Sequence, residues 1–490
     1  MRRTAEPVRM SAERDGGHSL DIQAIPSREE PPIQVVQGEM RSDVEKQKTQ
    51  EGLLKFSRLG WKRLTILLVV EAIALGALSL PAAFAALGLV GGLVANAIIG
   101  LIAIYTGYIV GCVKIKHPEL RHYADVGKLM FGKIGYEVMS FMFLLQLVFF
   151  AASHCLTGAQ AFLAITNNAT CSVVFSVVSA ILLLALSTPP SFAEIAILGY
   201  IDFVSVLLAI GITIVATGIN SRGVVVDWST WPKPGVTFTE TFVAILNILF
   251  AYSFALCQFS FMSEMHTPTD YMKSVWALGI TEGIIYMITG ATIFIFVGSD
   301  VKSPALLSAG HTIHRVAFGV ALPVIFISGA IMVVTAGQFV HGRIYADTLT
   351  RFVNTRKGWI TWIATISAIV LIGWIIAESI PFFGDLVALT SSLFNSGFTL
   401  HIPAIMWFRL LKEGKFSSKK NIGLAILNGS IIIVGLVCLV VGTYAAVQNI
   451  VSETLHFMSQ LGLTTPRSTT MLRVVNRCLF NAESFRKSLA

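Results

Sequence analysis

Charge is scarce in this chain: of its 490 residues only 13% are Asp, Glu, Lys or Arg, while 54% are hydrophobic. A water-soluble protein of this size carries about a quarter of its residues charged. Too little polar surface is left to face water, so the composition excludes a soluble domain and points to an integral membrane protein. Cysteine is also rare. The six present (Cys112, Cys155, Cys171, Cys257, Cys438, Cys478) lie mostly inside apolar runs, which does not look like a disulfide framework or a metal site. They read as small buried hydrophobes. The first 50 residues hold no apolar h-region, so the expectation is no cleavable signal peptide, with the first membrane helix directing insertion. No nucleophile motif, phosphate-binding glycine loop or metal-ligand spacing occurs, which leaves a membrane-embedded enzyme without support.

What the chain has in abundance is apolar runs. A bilayer-spanning helix needs about 20 apolar residues, and eleven runs can be placed, at about 62–89, 91–112, 135–165, 172–188, 195–219, 240–264, 274–298, 314–340, 359–380, 382–408 and 422–448. The expected architecture is an all-α polytopic membrane protein with about eleven transmembrane helices forming one domain over residues 56–450. Residues 1–55 hold 19 of the chain's 64 charges and read as a disordered cytoplasmic tail. Residues 451–490 form a mildly basic C-terminal tail.

The net charge of +8 is not gathered into one face or block; the basic residues sit between apolar runs, which argues against nucleic acid as a partner. They act as topology signals. With the N-terminus in the cytoplasm, 19 Lys and Arg fall on inner segments against four outside (Arg222, Lys233, Lys302, Arg315), an asymmetry that fixes orientation. The sequon Asn168-Ala169-Thr170 then faces outward, making Asn168 the expected glycosylation site. A second sequon, Asn428-Gly429-Ser430, lies inside the last apolar run and reads as a chance match.

Two spans attract attention. The first has Gly76 and Pro81 near its middle. Gly76 lets the backbone leave helical geometry, and Pro81 suits the first turn of a restarted helix, so the span is expected to be broken. Freed backbone groups at membrane depth must meet something polar, and the N-terminal end of a half-helix suits a carboxylate. The sixth span has no Gly or Pro at its centre. If spans one to five and six to ten are inverted repeats, it is nevertheless expected to break near Ala251 to Phe254. Glu71, His154, Asp202, Glu282, Glu378 and His401 are the ionisable residues within spans, with Asp385 nearer an end. Each is costly in lipid and is expected to face the protein interior. Glu71, about 15 Å deep from a helix start near Trp61, is the candidate for proton exchange. The facing third span offers Phe149-Phe150-Ala151-Ala152-Ser153, with Ala152 expected to leave room in a pocket.

The run Gly76-Ala77-Leu78-Ser79-Leu80-Pro81 resembles the first-helix motif of the amino acid/auxin permease family. Glu264-Met265-His266-Thr267-Pro268, continuing through Lys273-Ser274, is similar to that family's signature after span six. Trp61-Lys62-Arg63-Leu64, His122-Tyr123-Ala124-Asp125, Pro189-Pro190-Ser191 and Gly199-Tyr200-Ile201-Asp202 narrow the resemblance to fungal neutral amino acid permeases of the methyltryptophan-resistance type, over about residues 53–450. The resemblance implies a leucine-transporter-like fold of two five-helix inverted repeats and proton-coupled import of neutral aliphatic and aromatic amino acids across the plasma membrane. It implies no cofactor beyond a proton gradient, with sodium as the alternative driving ion. It places the substrate carboxylate at Gly76, Ala77, Leu78 and Ser79, and the amine near Ala251, Tyr252, Ser253 and Phe254. The alternatives are a vacuolar exporter of the same fold and an amino acid receptor that does not transport.

Overall fold

The computed structural model describes residues 60–460, apart from 168, 192–197, 264, 346–347, 349–352, 354 and 416–417. The tail 1–55, Asn168 and residues 461–490 therefore lie outside the described residues, as do the side chains of Glu71, Leu75 and a few others within helices. The described residues belong to one compact unit.

The first helix, α1 (Trp61–Lys116), has 56 residues. A straight helix of that length measures about 84 Å, nearly three times the hydrocarbon thickness of a bilayer. The chain solves this at Gly88, whose φ of 71° and ψ of 167° turn α1 into two limbs, 61–87 and 89–116. That backbone conformation is open almost only to glycine. A new helix start also leaves N–H groups without intrahelical partners. Here the N–H groups of Leu89 and Val90 each donate to carbonyls of Ser229 and Thr230, at 3.0 Å.

The other helices follow the apolar runs: α2 (Tyr123–Thr166), kinked at Gly132; α3 (Ser172–Leu186); α4 (Leu198–Asn220); α5 (Phe238–Ala251); α6 (Gln258–Ser263); α7 (Tyr271–Val297); α8 (Ile313–Ile344); α9 (Arg356–Ser379); α10 (Phe383–Thr390); and α11 (Lys419–Gln460). α10 continues through a π-helical stretch, Ser391–His401, to Leu411. Eight helices among the described residues are long and apolar enough to cross a membrane. With both limbs of α1, the shorter α3 and the polar-lined α10 counted, eleven rods occupy the eleven apolar runs.

Caps set the ends. α5 begins at a capping box: the Thr237 N–H donates to Glu240 Oε2 at 2.9 Å, and the Glu240 N–H donates to Thr237 Oγ1 at 3.2 Å. In the loop before it, the Lys233 ammonium bonds the Asp227 carboxylate and holds that carboxyl below its usual range.

Burial runs opposite to that of a soluble protein. Leu101, Ile134, Leu208, Ile280 and Ile433 are exposed on outer faces, whereas Asn96, Gln146, His154, Asp202, Glu282, Ser328 and Asn395 are buried. In the α5–α6 rod 89% of the most apolar stretch is buried, against 22% in α11, which puts the former at the centre and the latter at the periphery. Three expectations change. The first span is not broken at Gly76, because only Gly88 leaves helical geometry in α1. Cys171 is disulfide-bonded, while Cys112, Cys155, Cys257 and Cys438 are free. Asn428 donates to Tyr105 Oη at 2.7 Å from a buried position, in keeping with a chance sequon.

The hinge yields the first prediction. A Cβ at Gly88 would lie 2.5 Å from the Trp231 carbonyl carbon, and the conformation itself costs a non-glycine residue about 1–3 kcal/mol. Gly88→Ala should lower the melting temperature of detergent-purified protein by several degrees. An unchanged value would show that the 229–231 loop does not hold the hinge.

Candidate functional site

The candidate site forms where the first limb of α1 meets the end of α5. α5 stops at Ala251; Tyr252 and Ser253 are non-helical, Phe254–Cys257 forms a 3-10 turn, and α6 restarts the rod at Gln258. The sixth span thus breaks where expected, without a local Gly or Pro. Tertiary contacts hold it open. The Tyr286 hydroxyl of α7 lies 3.0 Å from the Ala251 carbonyl and 2.7 Å from the Ala72 carbonyl of α1. One hydroxyl proton is thereby shared between the two rods. Gln258 Nε2 donates to the Gly107 carbonyl at 2.9 Å.

Gly76 permits this junction. A Cβ there would stand 2.9 Å from Ala251 Cα, from Ala251 Cβ and from Tyr286 Oη. Tyr252 turns away from the junction: its ring packs edge-on to Tyr286, centroids 5.1 Å apart, and its hydroxyl donates to Asn96 Oδ1 at 3.1 Å.

A cavity of about 20 Å³ lies at the junction, lined by Ala72, Gly76, Phe150, His154, Phe250, Ser253, Phe254 and Met332. That is room for about one water. No Lys, Arg, Asp or Glu is among these residues. Phe150 and Phe250 pack edge-on across it, centroids 5.1 Å apart. His154 is fixed by α8: its Nδ1 lies 2.7 Å from the Ile325 carbonyl. A carbonyl only accepts, so Nδ1 carries the proton and Nε2 of the neutral ring is the acceptor. Gly329 makes space for that ring, since a Cβ there would be 2.8 Å from His154 Cβ.

Of the residues expected at the site, Gly76, Ser253 and Phe254 line the cavity, whereas Ala77, Leu78, Ser79, Ala251 and Tyr252 are buried beside it. Residues 76–79 lie within continuous helix, with Ser79 Oγ donating to the Gly76 carbonyl at 2.9 Å. Glu71 is placed on α1 by its backbone, its side chain outside the described positions. Ala152 does not line the cavity; its backbone N–H nitrogen packs near Gly373 of α9. The third span instead contributes Phe150 and His154, one helical turn apart. Sequence reasoning passed over Met332 and Tyr286 because neither belongs to a motif. Only their buried, central placement singles them out.

The transmembrane amino acid transporter protein family model matches residues 57–448. The chain belongs to that family. An N amino acid transport system protein from Neurospora crassa is 54% identical over 414 residues, covering 83% of this chain and 88% of the relative. A transmembrane transporter from Gibberella moniliformis is 29% identical over 86% of this chain and 92% of its own length. Among solved structures, a nucleobase-cation-symport-1 family transporter in a closed conformation with bromovinylhydantoin bound matches with a TM-score of 0.48 and 14% identity, over 86% of this chain and 97% of that one. The family and these relatives are transporters, not enzymes.

The junction gives two variants to compare. Gly76→Leu should abolish phenylalanine uptake in protein that still purifies as a single monodisperse species, because its side chain meets Ala251 and Tyr286. Tyr286→Phe, which removes the shared hydroxyl, should cost about 1–3 kcal/mol of stability and slow uptake less severely. Wild-type uptake by Gly76→Leu would show that the close approach has no part in transport.

Proposed function

We propose that this transporter imports neutral aliphatic and aromatic amino acids across the plasma membrane in symport with protons. The observation that carries the substrate class is the cavity lining: three phenylalanines, a methionine and a neutral-ring histidine, with no charged side chain. An acidic or basic substrate side chain would be desolvated there without a counter-ion. Burying a Leu- or Phe-sized group is worth roughly 1.5–3 kcal/mol. The relative named for amino acid transport, at 54% identity, supports the cargo as a class.

The substrate carboxylate is assigned to the backbone of Gly76, Ala77, Leu78 and Ser79, and the amine to carbonyls at Ala251, Tyr252 and Ser253 beside Phe254. Because 76–79 are helical here, carboxylate binding requires α1 to part at Gly76, which would also enlarge the cavity. Pro81 prepares this, since it offers no N–H to the turn before it. Glu71, on the same limb, is assigned to proton coupling. The basic asymmetry of the connecting segments supports a cytoplasmic N-terminus and an external Asn168, with residues 56–450 as the transport domain between the tails 1–55 and 451–490.

Inhibition of labelled phenylalanine uptake by unlabelled amino acids at matched pH tests the reading. Leucine, tryptophan and phenylalanine should compete, and glutamate and lysine should not. Strong competition by lysine or glutamate, with none from leucine, would contradict the neutral pocket.

A further inference from the structure

Asp202 lies on α4, fully buried, where α4 packs against α1, α7 and α8. Its Oδ2 is 3.3 Å from Ser328 Oγ of α8, and that hydroxyl is 3.1 Å from the Val70 carbonyl of α1. Its Oδ1 is buried and has no hydrogen-bond partner among the described residues. The Val70 carbonyl belongs to the peptide bond that precedes Glu71.

A serine hydroxyl has one proton, so Ser328 can donate to the carbonyl or to a carboxylate but not fully to both. A buried carboxylate with half of one donor is poorly compensated. The network closes only when the carboxyl is protonated: Asp202 then donates to Ser328 Oγ, and Ser328 donates to the Val70 carbonyl. Loss of the proton turns the Ser328 hydroxyl toward Asp202 and releases Val70. α4 does not move with it, because Ser205, one turn further on, separately binds the Val320 carbonyl of α8. The segment set free is the first limb of α1, which carries Gly76.

No described cation stands in for the proton. On α8, His314 and Arg315 lie toward one end and His341 and Arg343 toward the other, each roughly 20 Å along the helix from Ser328. His154 of α2 is committed to the Ile325 carbonyl, one turn of α8 away. α7 contributes Glu282, Tyr271, Lys273 and Tyr286, the last joined to Ala72 and Ala251. Lys62 and Arg63 sit at the exposed start of α1, with Lys114 and Lys116 at the end of its second limb, and Tyr105 bonded to Asn428. The 3-10 segment Ala305–Ala309 has no titratable side chain, and α4 itself adds only the exposed Tyr200.

We infer that Asp202 is a proton-binding site whose protonation, relayed by Ser328, pins the first limb of α1 to α8. The inference deepens the symport reading by adding a second carboxyl to Glu71, and its direct test does not depend on transport. Infrared difference spectra of the purified full-length protein, titrated over pH, report the C=O stretch of protonated buried carboxyls. A band that titrates in the wild type should be missing from Asp202→Asn and shifted in Ser328→Ala, which keeps the carboxyl but removes its hydrogen-bond partner. Asp385→Asn, at a buried carboxyl bonded to Asn449, should leave that band in place. Spectra that neither Asp202→Asn nor Ser328→Ala alters overturn the inference; if Asp202→Asn fails to fold, an unshifted Ser328→Ala spectrum does so alone. In vesicles, one pH unit supports about tenfold accumulation per coupled proton, so the ratio of pH-driven accumulation to counterflow should fall by about that factor in Asp202→Asn. A wild type that shows counterflow without pH-driven accumulation contradicts the symport reading, while the infrared result still decides the proton site.

Discussion

The closest approach of two rods in the interior is that of Gly76 to Ala251, and the Tyr286 hydroxyl seals it by bridging the carbonyls of Ala72 and Ala251. Much of the centre depends on this contact. It ends α5 at Ala251, where a carbonyl that has left its helix needs a donor. It also draws Phe250, Ser253 and Phe254 toward Phe150 and His154, and it leaves a void of about 20 Å³ between them. A larger residue at 76 would separate the rods. A missing hydroxyl at 286 would leave two carbonyls short of one donor.

Around this contact the molecule is organised with polarity inside and hydrocarbon outside. The π-helical stretch of α10 buries Ser391, Ser392, Asn395, Ser396 and Thr399, and Gln146 of α2 meets Asn395 there. Polar groups in a bundle core are expensive unless they find one another, so their concentration on α2, α8 and α10 marks the rods that face a working interior. The same logic reads the near end of the bundle as a latch. Lys114 donates to the Pro118 and Leu120 carbonyls and to Ser263 Oγ, tying the second limb of α1 to the end of α6.

Most of the rods were legible as apolar runs, because lipid imposes length and composition on each pass separately. The breaks were not. Gly76 and Pro81 suggested an interruption, yet α1 is continuous there and turns instead at Gly88; a proline removes one donor, which a packed helix tolerates. The sixth span, without Gly or Pro, does break, because Tyr286 and Gln258 supply the groups its backbone needs. Such support comes from other helices, and one segment's own residues cannot announce it. The cavity shows the same division: the aromatic run on the third span was visible, but which of its residues face inward was not, and Phe150 and His154 line it where Ala152 was expected.

The central claim is that substrate binds at the junction of the first limb and the α5–α6 break. Ser253 lines the cavity, so Ser253→Cys places a thiol in it. Modification of that cysteine by a small thiol reagent, followed on the peptide carrying residue 253 by mass spectrometry, is the direct test. Phenylalanine should slow the modification in a concentration-dependent way, and lysine should not. Equal rates with and without phenylalanine, in protein that still transports it, would place the substrate elsewhere.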